Sequence, residues 1–271
     1  METETERRSW QSPLHQTLRS IKKLCLGGRR IQLCDNWYQV PYEARDREQQ
    51  DDYKHIESLA KNARCVFDIG ANVGLTSLVM SRVMQPDGTL VAFEASEACC
   101  LVWRETMHAN GYADGRQAKV INALIGSQLG QVAPFNWDFV AGNASAVSGS
   151  KSSSRLTLHK AVTTIDHVVE QLGLKPDVAK IDVEGAELDV IAGMQQTLST
   201  YKPSLFIEVH GWPGQPVAAQ AESLKGQLAE HGYAVKDLEG NELRPDIAND
   251  GKRMTRCWAI ASHPNKTTAV Q

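Results

Sequence analysis

A chain of 271 residues, 42% of them hydrophobic, is long enough to bury one large core. Its net charge of -3 at pH 7 lacks the basic excess that binding to a phosphate backbone requires, which argues against a nucleic-acid partner. No stretch approaches the roughly 20 apolar residues that span a bilayer, and the charged start METETERRSW does not fit a signal peptide. We therefore expect a cytoplasmic protein without a transmembrane segment, whose scattered cysteines are reduced thiols.

The N-terminal region predicts a short helical extension. Residues 12 to 26 place apolar side chains three or four positions apart along one helix face, namely Leu14, Leu18, Ile21 and Cys25. Basic side chains lie off this face, so the helix either docks on its own domain or lies on a membrane surface. We expect three parts of the chain: an extension over residues 1–50, a main domain over residues 51–265 and a tail over residues 266–271.

From Cys65 onward, short apolar runs alternate with helical patterns, which is typical of an α/β fold with a doubly wound, mostly parallel sheet. We predict strands at Val66 to Ile69, Leu90 to Phe93, Val120 to Leu124, Val178 to Val183 and Ser204 to Val209. Helices are predicted near residues 75 to 84, 97 to 110, 186 to 198 and 216 to 231. Two last strands, Ala234 to Leu238 and Cys257 to Ser262, are joined by a polar turn and predict an antiparallel hairpin at the sheet edge.

One long polar segment interrupts this alternation. Residues 136 to 155 are too rich in Gly, Ser and Asn for a core element and form a longer stretch than an ordinary connector. Segments of this kind are often lids or substrate loops, and the alternative is a plain linker.

A turn rich in glycine follows the first predicted strand of the main domain. In CVFDIGANVGL, Asp68, Gly70 and Gly74 lie between that strand and a helix, and glycines here let a ligand approach the main chain closely. Glu94 ends the second strand, where a carboxylate can accept hydrogen bonds from both ribose hydroxyls of an adenosine group. Together these residues predict a cofactor that carries a nucleoside.

The glycine spacing narrows the choice of cofactor. Asn72 stands where the second glycine of the dinucleotide fingerprint would be, and no phosphate-binding GxxxxGK[ST] loop is present, so NAD and ATP are disfavoured. S-adenosylmethionine carries an amine, a carboxylate and a sulfonium, which a wider polar turn could hold.

Several segments resemble the FkbM-type methyltransferases. They are VFDIGANVG at 66 to 74, VAFEAS at 91 to 96, TTIDHVVEQ at 163 to 171, KIDVEGAELDVIAGM at 180 to 194 and LFIEVHG at 205 to 211. The fourth of these is the most specific, and the resemblance covers roughly residues 64 to 212. It implies the class I methyltransferase fold, which is Rossmann-like, with S-adenosylmethionine as donor and O-methylation of a hydroxyl on a sugar or other natural product.

The resemblance also implies roles for individual residues. Four of them would line the methionine and sugar side of the cofactor, namely Asp68, Gly70, Asn72 and Gly74. Glu94 would hold the ribose, and Asn122 with Ala123 would lie near the adenine.

The residues themselves predict an acid/base cluster at the carboxyl ends of two neighbouring strands. Strand alternation places Lys180, Asp182 and Glu184 on one face, and Glu208 and His210 repeat the spacing on the next strand. Ligands of open α/β sheets bind at this edge. We predict His210 as the base, since histidine titrates near neutrality, with Asp182 and Glu208 as its catalytic partners.

Other residues of the same region have less specific roles. We predict that the acceptor is contacted by Lys180, Glu184 and Trp212. An apolar wall for the acceptor could be formed by Trp212 together with Trp137 and Phe139, and the alternative is that each of these aromatic residues belongs to the core. Glu187 and Asp189 are expected on a helix face, where Glu187 near the helix start complements the dipole.

Two alternatives remain open at this point. The first is a divalent ion such as Mg²⁺, which lowers the pKa of the acceptor hydroxyl and is held by four residues, Asp182, Glu184, Glu208 and His210. The second concerns the function itself: transfer to an amine, a lipid-linked glycan or a protein side chain, or nucleoside binding without catalysis. We expect a small-molecule acceptor as partner, and a homo-oligomer is compatible with the sequence.

Overall fold

The computed structural model describes residues 28–41, 51–112, 117–138, 144–145, 155–212, 214–243 and 255–264. The predicted helix at 12 to 26, the tail at 266–271 and Phe139 lie outside these residues. Among the described residues, no helix combines the length and the apolar character needed to cross a membrane.

The described chain alternates strands and helices over most of its length. The strands are β1 (Arg29–Leu33), β2 (Asn36–Val40), β3 (Cys65–Ile69), β4 (Thr89–Glu94), β5 (Ala118–Asn122), β6 (Leu124–Ile125), β7 (Val132–Asp138), β8 (Ala144–Ser145), β9 (Arg155–Thr163), β10 (Val178–Ile181), β11 (Ser204–Gly211), β12 (Ala234–Lys236) and β13 (Thr255–Ser262). The helices are α1 (Asp51–Ala60), α2 (Leu75–Val83), α3 (Glu97–Ala109), α4 (Ile165–Leu172), α5 (Glu187–Ala192), α6 (Gln195–Thr200) and α7 (Val217–Ala229).

A seven-stranded sheet in the order β12-β13-β11-β10-β3-β4-β5 forms the centre of the fold. The five strands from β11 to β5 run parallel, and β13 pairs antiparallel with both β11 and β12. The predicted α/β class, with a mostly parallel sheet and an antiparallel edge hairpin, is therefore confirmed. The strand order reverses between β3 and β10, and ligands of open α/β sheets bind outside the carboxyl ends of the strands at such a point.

Helices cover both faces of this sheet, which explains why its inner strands are buried along their whole length. Phe67 and Ile69 of β3 face a core that includes buried residues of α4, α5, α6 and α7. Val66 faces the opposite core, to which α1, α2 and α3 contribute.

Several predicted boundaries differ from the structure because the chain turns earlier than its apolar pattern suggests. The predicted strand 178 to 183 ends at Ile181, and Glu184 and Gly185 then have positive φ values of 54° and 108°. The predicted helix 186 to 198 consists of α5 and α6, which are separated at Gly193; a Cβ there would lie 2.1 Å from the carbonyl oxygen of Gly126. The predicted strand 120 to 124 is β5 followed by β6.

Two β structures were not predicted. The β1–β2 hairpin lies in the expected N-terminal extension, and its Ile31 and Leu33 are buried in the same core as α1, α2 and α3. A second sheet has the order β6-β9-β7-β8, and its strands β7, β8 and β9 occupy part of the polar segment 136 to 155. Phe135, directly before this segment, is buried in a small cluster with Leu124 and Val162.

Candidate active site

The turn after β3 packs directly against the end of β10. Gly70 has a φ of +77°, and a Cβ at this position would lie 1.8 Å from the carbonyl oxygen of Asp182. The backbone N–H groups of Gly70 and Ala71 both donate to the carbonyl oxygen of Phe93, at 2.9 and 3.0 Å. Only glycine fits between these two strand ends, so the turn is held close to the residues that follow β10.

Asp68 anchors helix α2 to the end of β3. Its fully buried carboxylate accepts hydrogen bonds from the hydroxyls of Thr76, at 2.8 Å, and Ser77, at 2.5 Å. The Ser77 hydroxyl in turn accepts one from the indole N–H of Trp103, at 2.8 Å. The sequence predicts Asp68 as a cofactor residue, and the structure adds this supporting role.

Lys180 connects the turn to the acid/base cluster. Its buried Nζ donates to the carbonyl oxygen of Gly70 at 2.8 Å. The same atom lies 3.4 Å from Asp68 Oδ1 and 3.5 Å from Asp182 Oδ2. Lys180 thus balances the charges of two carboxylates beneath the turn, a geometry that suits positioning better than the predicted contact with the acceptor.

Glu94 lies at the carboxyl end of β4, beside the turn. Its two carboxylate oxygens accept hydrogen bonds from the backbone N–H groups of Ser96, at 2.7 Å, and Asn72, at 2.9 Å. Burial raises the pKa of the Glu94 carboxyl, whereas these two hydrogen bonds act in the opposite direction. Each oxygen keeps a further lone pair that can accept a ribose hydroxyl.

The end of β5 lies on the other side of Glu94. Asn122 donates through Nδ2 to the carbonyl oxygens of Glu94, at 2.9 Å, and Ala95, at 3.1 Å, and the backbone N–H of Ala123 also donates to the Glu94 carbonyl. Lys160, which the sequence did not single out, reaches from the second sheet and donates to the Ala95 carbonyl. The predicted ribose and adenine residues therefore lie together, next to the second sheet.

Two buried oxygen atoms in this region have no hydrogen-bond partner in the described part of the chain. They are Asp68 Oδ1, which forms no hydrogen bond but is ion-paired with Lys180 Nζ at 3.4 Å, and Asn72 Oδ1, on a residue with a φ of 49°, which has no such cation beside it among these contacts. A buried acceptor without a partner is costly unless a ligand supplies the donor. The ammonium group of S-adenosylmethionine is such a donor, so the turn fits the predicted cofactor.

His210 forms the centre of the acid/base cluster. It is only 2% exposed, and its Nδ1 donates to Glu187 Oε1 at 2.9 Å. Glu187 is equally buried, and the same oxygen accepts the backbone N–H of Gly185 at 2.9 Å. The Nε2 atom of His210 lies 3.5 Å from Glu208 Oε1 and 3.8 Å from Glu184 Oε2.

These surroundings change the charge of His210. Burial alone would lower its pKa, but the hydrogen bonds to Glu187 and Glu208 and the nearby charges of Glu187 and Asp182 outweigh burial and raise the pKa to about 11. Without a bound ion, the imidazole is therefore protonated at neutral pH and acts as a donor. The predicted role of His210 as the base requires this proton to be lost first, and it stays a prediction.

Three of the four predicted metal ligands converge in this cluster. Asp182, Glu208 and His210 each offer one ligand atom, and these atoms all lie within 4.8 Å of one another. Arg256 of β13, which the sequence did not single out, donates to Glu208 Oε1 at 2.7 Å. Glu184 lies at the edge of the cluster, a quarter exposed, and is not one of the converging residues.

Two other predicted residues are tryptophans outside strands β10 and β11. Trp212 exchanges backbone hydrogen bonds with Gln215 in the turn after β11, at 2.8 and 2.9 Å, and is half-buried. Trp137 belongs to β7 of the second sheet.

Sequence reasoning missed the contribution of Glu187 because a carboxylate in the first turn of a helix has an ordinary explanation in the helix dipole. The available signal was its position inside KIDVEGAELDVIAGM, immediately after the end of a site strand.

The chain is similar in sequence to known methyltransferases. The chain matches the family model described as the methyltransferase FkbM domain over residues 68–235. Methyltransferase 1 of Beauveria bassiana is 24% identical over 200 residues, which cover 67% of this chain and 77% of that protein. AMB antimetabolite synthetase AmbE of Pseudomonas aeruginosa is 31% identical over 97 residues, which are 35% of this chain and 4% of AmbE.

Among solved structures, the methyltransferase FkbM from Methylobacillus flagellatus KT has a TM-score of 0.48 at 14% identity, covering 75% of this chain and 44% of that chain. The family match contains the turn after β3, the ends of β4 and β5, and the His210 cluster apart from Arg256. It covers well over half of the chain and confirms the resemblance seen in the sequence motifs. The chain therefore belongs to the FkbM methyltransferase family.

Proposed function

We propose that this protein transfers the methyl group of S-adenosylmethionine to a hydroxyl of a small acceptor, a sugar or another natural product. The observation that supports the donor is the turn after β3, where Glu94 offers lone pairs for a ribose and Asn72 Oδ1 is a buried acceptor without a partner. The family match supports methyl transfer. The match to a segment of AmbE, named an antimetabolite synthetase, supports a natural-product acceptor.

The geometry suggests how donor and acceptor meet. Methyl transfer is an in-line displacement at carbon, so most of the rate comes from alignment of the acceptor oxygen with the methyl group. Asp182 lies between the turn after β3, which is the proposed donor site, and the His210 cluster, which is the proposed acceptor site. Its backbone N–H donates to the carbonyl of Ile69 at the end of β3, and its carboxylate belongs to the His210 cluster. We assign it to the acceptor hydroxyl.

The charge of His210 determines where the acceptor proton goes. As an imidazolium, His210 donates to Glu187 and Glu208 and has no free site for a proton. A carboxylate of the cluster accepts the proton instead, and Asp182 is the one on the cofactor side. The acceptor oxygen loses its proton to Asp182 as its bond to the methyl carbon forms, and S-adenosylhomocysteine leaves as a neutral thioether.

Calorimetry separates donor binding from turnover. We expect the purified protein to bind S-adenosylmethionine and S-adenosylhomocysteine but not NAD. Glu94→Ala should weaken binding of both ligands by about 1–3 kcal/mol, because the ribose hydroxyls lose the carboxylate proposed to accept their hydrogen bonds. Circular dichroism of the variant checks that the turn stays folded, since the N–H groups of Asn72 and Ser96 also lose an acceptor. Glu239→Ala, at an exposed turn position, is the matched control. A preference for NAD would refute the donor assignment.

Catalysis is tested with the cluster variants. His210→Ala and Asp182→Asn should lower methyl transfer while affinity for S-adenosylhomocysteine is largely kept, because His210 lies outside the cofactor turn and Asn keeps the shape of Asp182. Equal losses of cofactor affinity in His210→Ala and Glu94→Ala would contradict the division of roles. An acceptor screen with amines, glycans and peptides alongside hydroxylated metabolites tests the other acceptors, and turnover with none of them would favour nucleoside binding alone.

Location and assembly are part of the same proposal. We propose that the protein acts in the cytoplasm, which agrees with the free thiols of its five described cysteines, Cys34, Cys65, Cys99, Cys100 and Cys257. Cell fractionation tests the location, and sedimentation of the purified chain tests whether it forms a homo-oligomer.

A further inference from the structure

We propose that Lys160, which comes from the second sheet, recognises the adenine of the methyl donor by donating a hydrogen bond to one of its ring nitrogens. This inference rests on the proposed function, because it requires the donor to bind at the ends of β4 and β5. Lys160 lies outside the sequence motifs that resemble the family.

The amide of Asn122 is fully used in holding the loop after β4. Its Nδ2 donates to the carbonyl oxygens of Glu94, at 2.9 Å, and Ala95, at 3.1 Å. A side-chain amide has two N–H donors, so neither is left for a ligand. Ala123 offers only a methyl group, and its backbone N–H donates to the Glu94 carbonyl. A side-chain donor for an adenine at this strand end must therefore come from another element.

Lys160 brings such a donor to the same place. Its Nζ donates to the Ala95 carbonyl and lies 3.5 Å from Asn122 Oδ1. An ammonium group has three N–H donors, and within the described part of the chain these two oxygens are its hydrogen-bond acceptors. Asn122 is exposed and Lys160 is half-buried, so the third N–H is open to a ligand.

The second sheet holds the ammonium in this position. Lys160 belongs to β9, and its Nζ lies 5.4 Å from the centre of the Phe135 ring. Phe135 is buried with Leu124 and Val162, and Ala95 packs against the same cluster. The loop after β4 and the second sheet thus share an apolar contact as well as the Lys160 hydrogen bond, which keeps the ammonium beside the ends of β4 and β5.

The chemistry of adenine matches this donor. Adenine is neutral, and its ring nitrogens are hydrogen-bond acceptors. Among the residues that the structure describes, Lys160 forms no ion pair, so no carboxylate there neutralises its charge. A hydrogen bond from a charged donor is stronger than one between neutral groups. Lys160 therefore adds affinity for a base that has an acceptor at the facing ring position.

The test is calorimetric titration of the full chain with S-adenosylhomocysteine and with three analogues, in which a CH group replaces N1, N3 or N7 of the adenine. For the unchanged protein, we expect at least one analogue to bind about tenfold more weakly than S-adenosylhomocysteine, because a hydrogen bond from a charged donor is lost. Lys160→Met keeps an unbranched side chain over Phe135 but removes the donor. It should bind S-adenosylhomocysteine about tenfold more weakly and should no longer distinguish that analogue.

Two further variants serve as rescue and control. Lys160→Arg keeps a charged donor and should recover part of the affinity and the discrimination between the ligands. Lys119→Met removes a lysine near the start of β5, away from the strand end, and should bind all four ligands as the unchanged protein does. Circular dichroism of each variant shows that the fold is intact.

The outcomes separate a contact with the adenine from a role in holding the loop. If Lys160 only positions the loop, Lys160→Met will bind all four ligands more weakly by the same factor, and the proposal is wrong. Equal affinity of the unchanged protein for all four ligands overturns it without any variant, as does unchanged S-adenosylhomocysteine binding in Lys160→Met. Both results leave the methyl-donor assignment in place, whereas a protein that binds none of the four ligands overturns both.

Discussion

Replacement of Gly70 by alanine tests whether the two halves of the site depend on close backbone packing. The new Cβ would lie 1.8 Å from the carbonyl oxygen of Asp182, whereas real Cβ contacts essentially never fall below 3.0 Å. The turn and the end of β10 must therefore separate by at least 1.2 Å (3.0 − 1.8). This overpacking should cost about 1–3 kcal/mol. The positive φ adds about 1–2 kcal/mol, because alanine disfavours the left-handed region.

Gly130→Ala is the matched control, since Gly130 has a φ of +78° and open space around its Cβ position. Urea unfolding should show Gly70→Ala to be less stable than Gly130→Ala by the overpacking cost alone. A displacement of about 1 Å can lower a rate 100-fold, so methyl transfer should fall by about that factor in Gly70→Ala only. If both variants showed the same stability and the same turnover, the packing of the turn against β10 would not matter and the reasoning would be refuted.

Two further predictions concern buried polar groups. Ser77→Ala should lower the free energy of unfolding by about 1–3 kcal/mol in urea titrations, because it leaves the Trp103 N–H without an acceptor. The loss should be smaller when Trp103 is already replaced by Phe. Equal losses in the two backgrounds would show that the hydrogen bond between Trp103 and Ser77 does not contribute. For His210, the folded pKa is raised from 6.5 to about 11, so its stabilisation is complete below pH 6.5 and is lost as pH rises towards 11. In chelator, the stability difference between the unchanged protein and His210→Gln should therefore shrink as pH increases, and a constant difference would exclude this effect.

Local patterns predicted the central sheet well because each strand of a doubly wound fold is a short apolar run between two turns. The same patterns failed where pairing partners are distant in sequence. Strand β7, for example, pairs with β9 across residues 139 to 154. The β1–β2 hairpin is local but was missed for a different reason, because its apolar residues are too few to stand out from the charged sequence around them. Composition indicated a lid, a substrate loop or a plain linker at 136 to 155 because Gly, Ser and Asn dominate this segment, and strand β7, which begins before it, was not predicted.

For the candidate site, the sequence pattern predicted which residues converge but not the hydrogen bonds that set the pKa of His210. Strand alternation brought Asp182, Glu208 and His210 together correctly, because residues two apart on neighbouring parallel strands share a face. The charge of His210 depends on Glu187, which comes from the following helix, and sequence spacing says nothing about that hydrogen bond. A histidine at a strand end therefore suggested a base, and the pattern gave no sign that the buried carboxylates raise its pKa to about 11.

The buried Lys180 joins the turn after β3 to the carboxylates at the end of β10. Its ammonium holds the carbonyl of Gly70, and so the cofactor turn, while it lies within 3.5 Å of the carboxylate assigned to the acceptor. Since Gly70 also contacts the backbone of Asp182, the donor turn and the acceptor carboxylate cannot move independently. If the proposed function is right, the in-line displacement depends on this constraint, because the methyl carbon and the acceptor oxygen are then held at the ends of two different strands and the connection between β3 and β10 keeps them aligned.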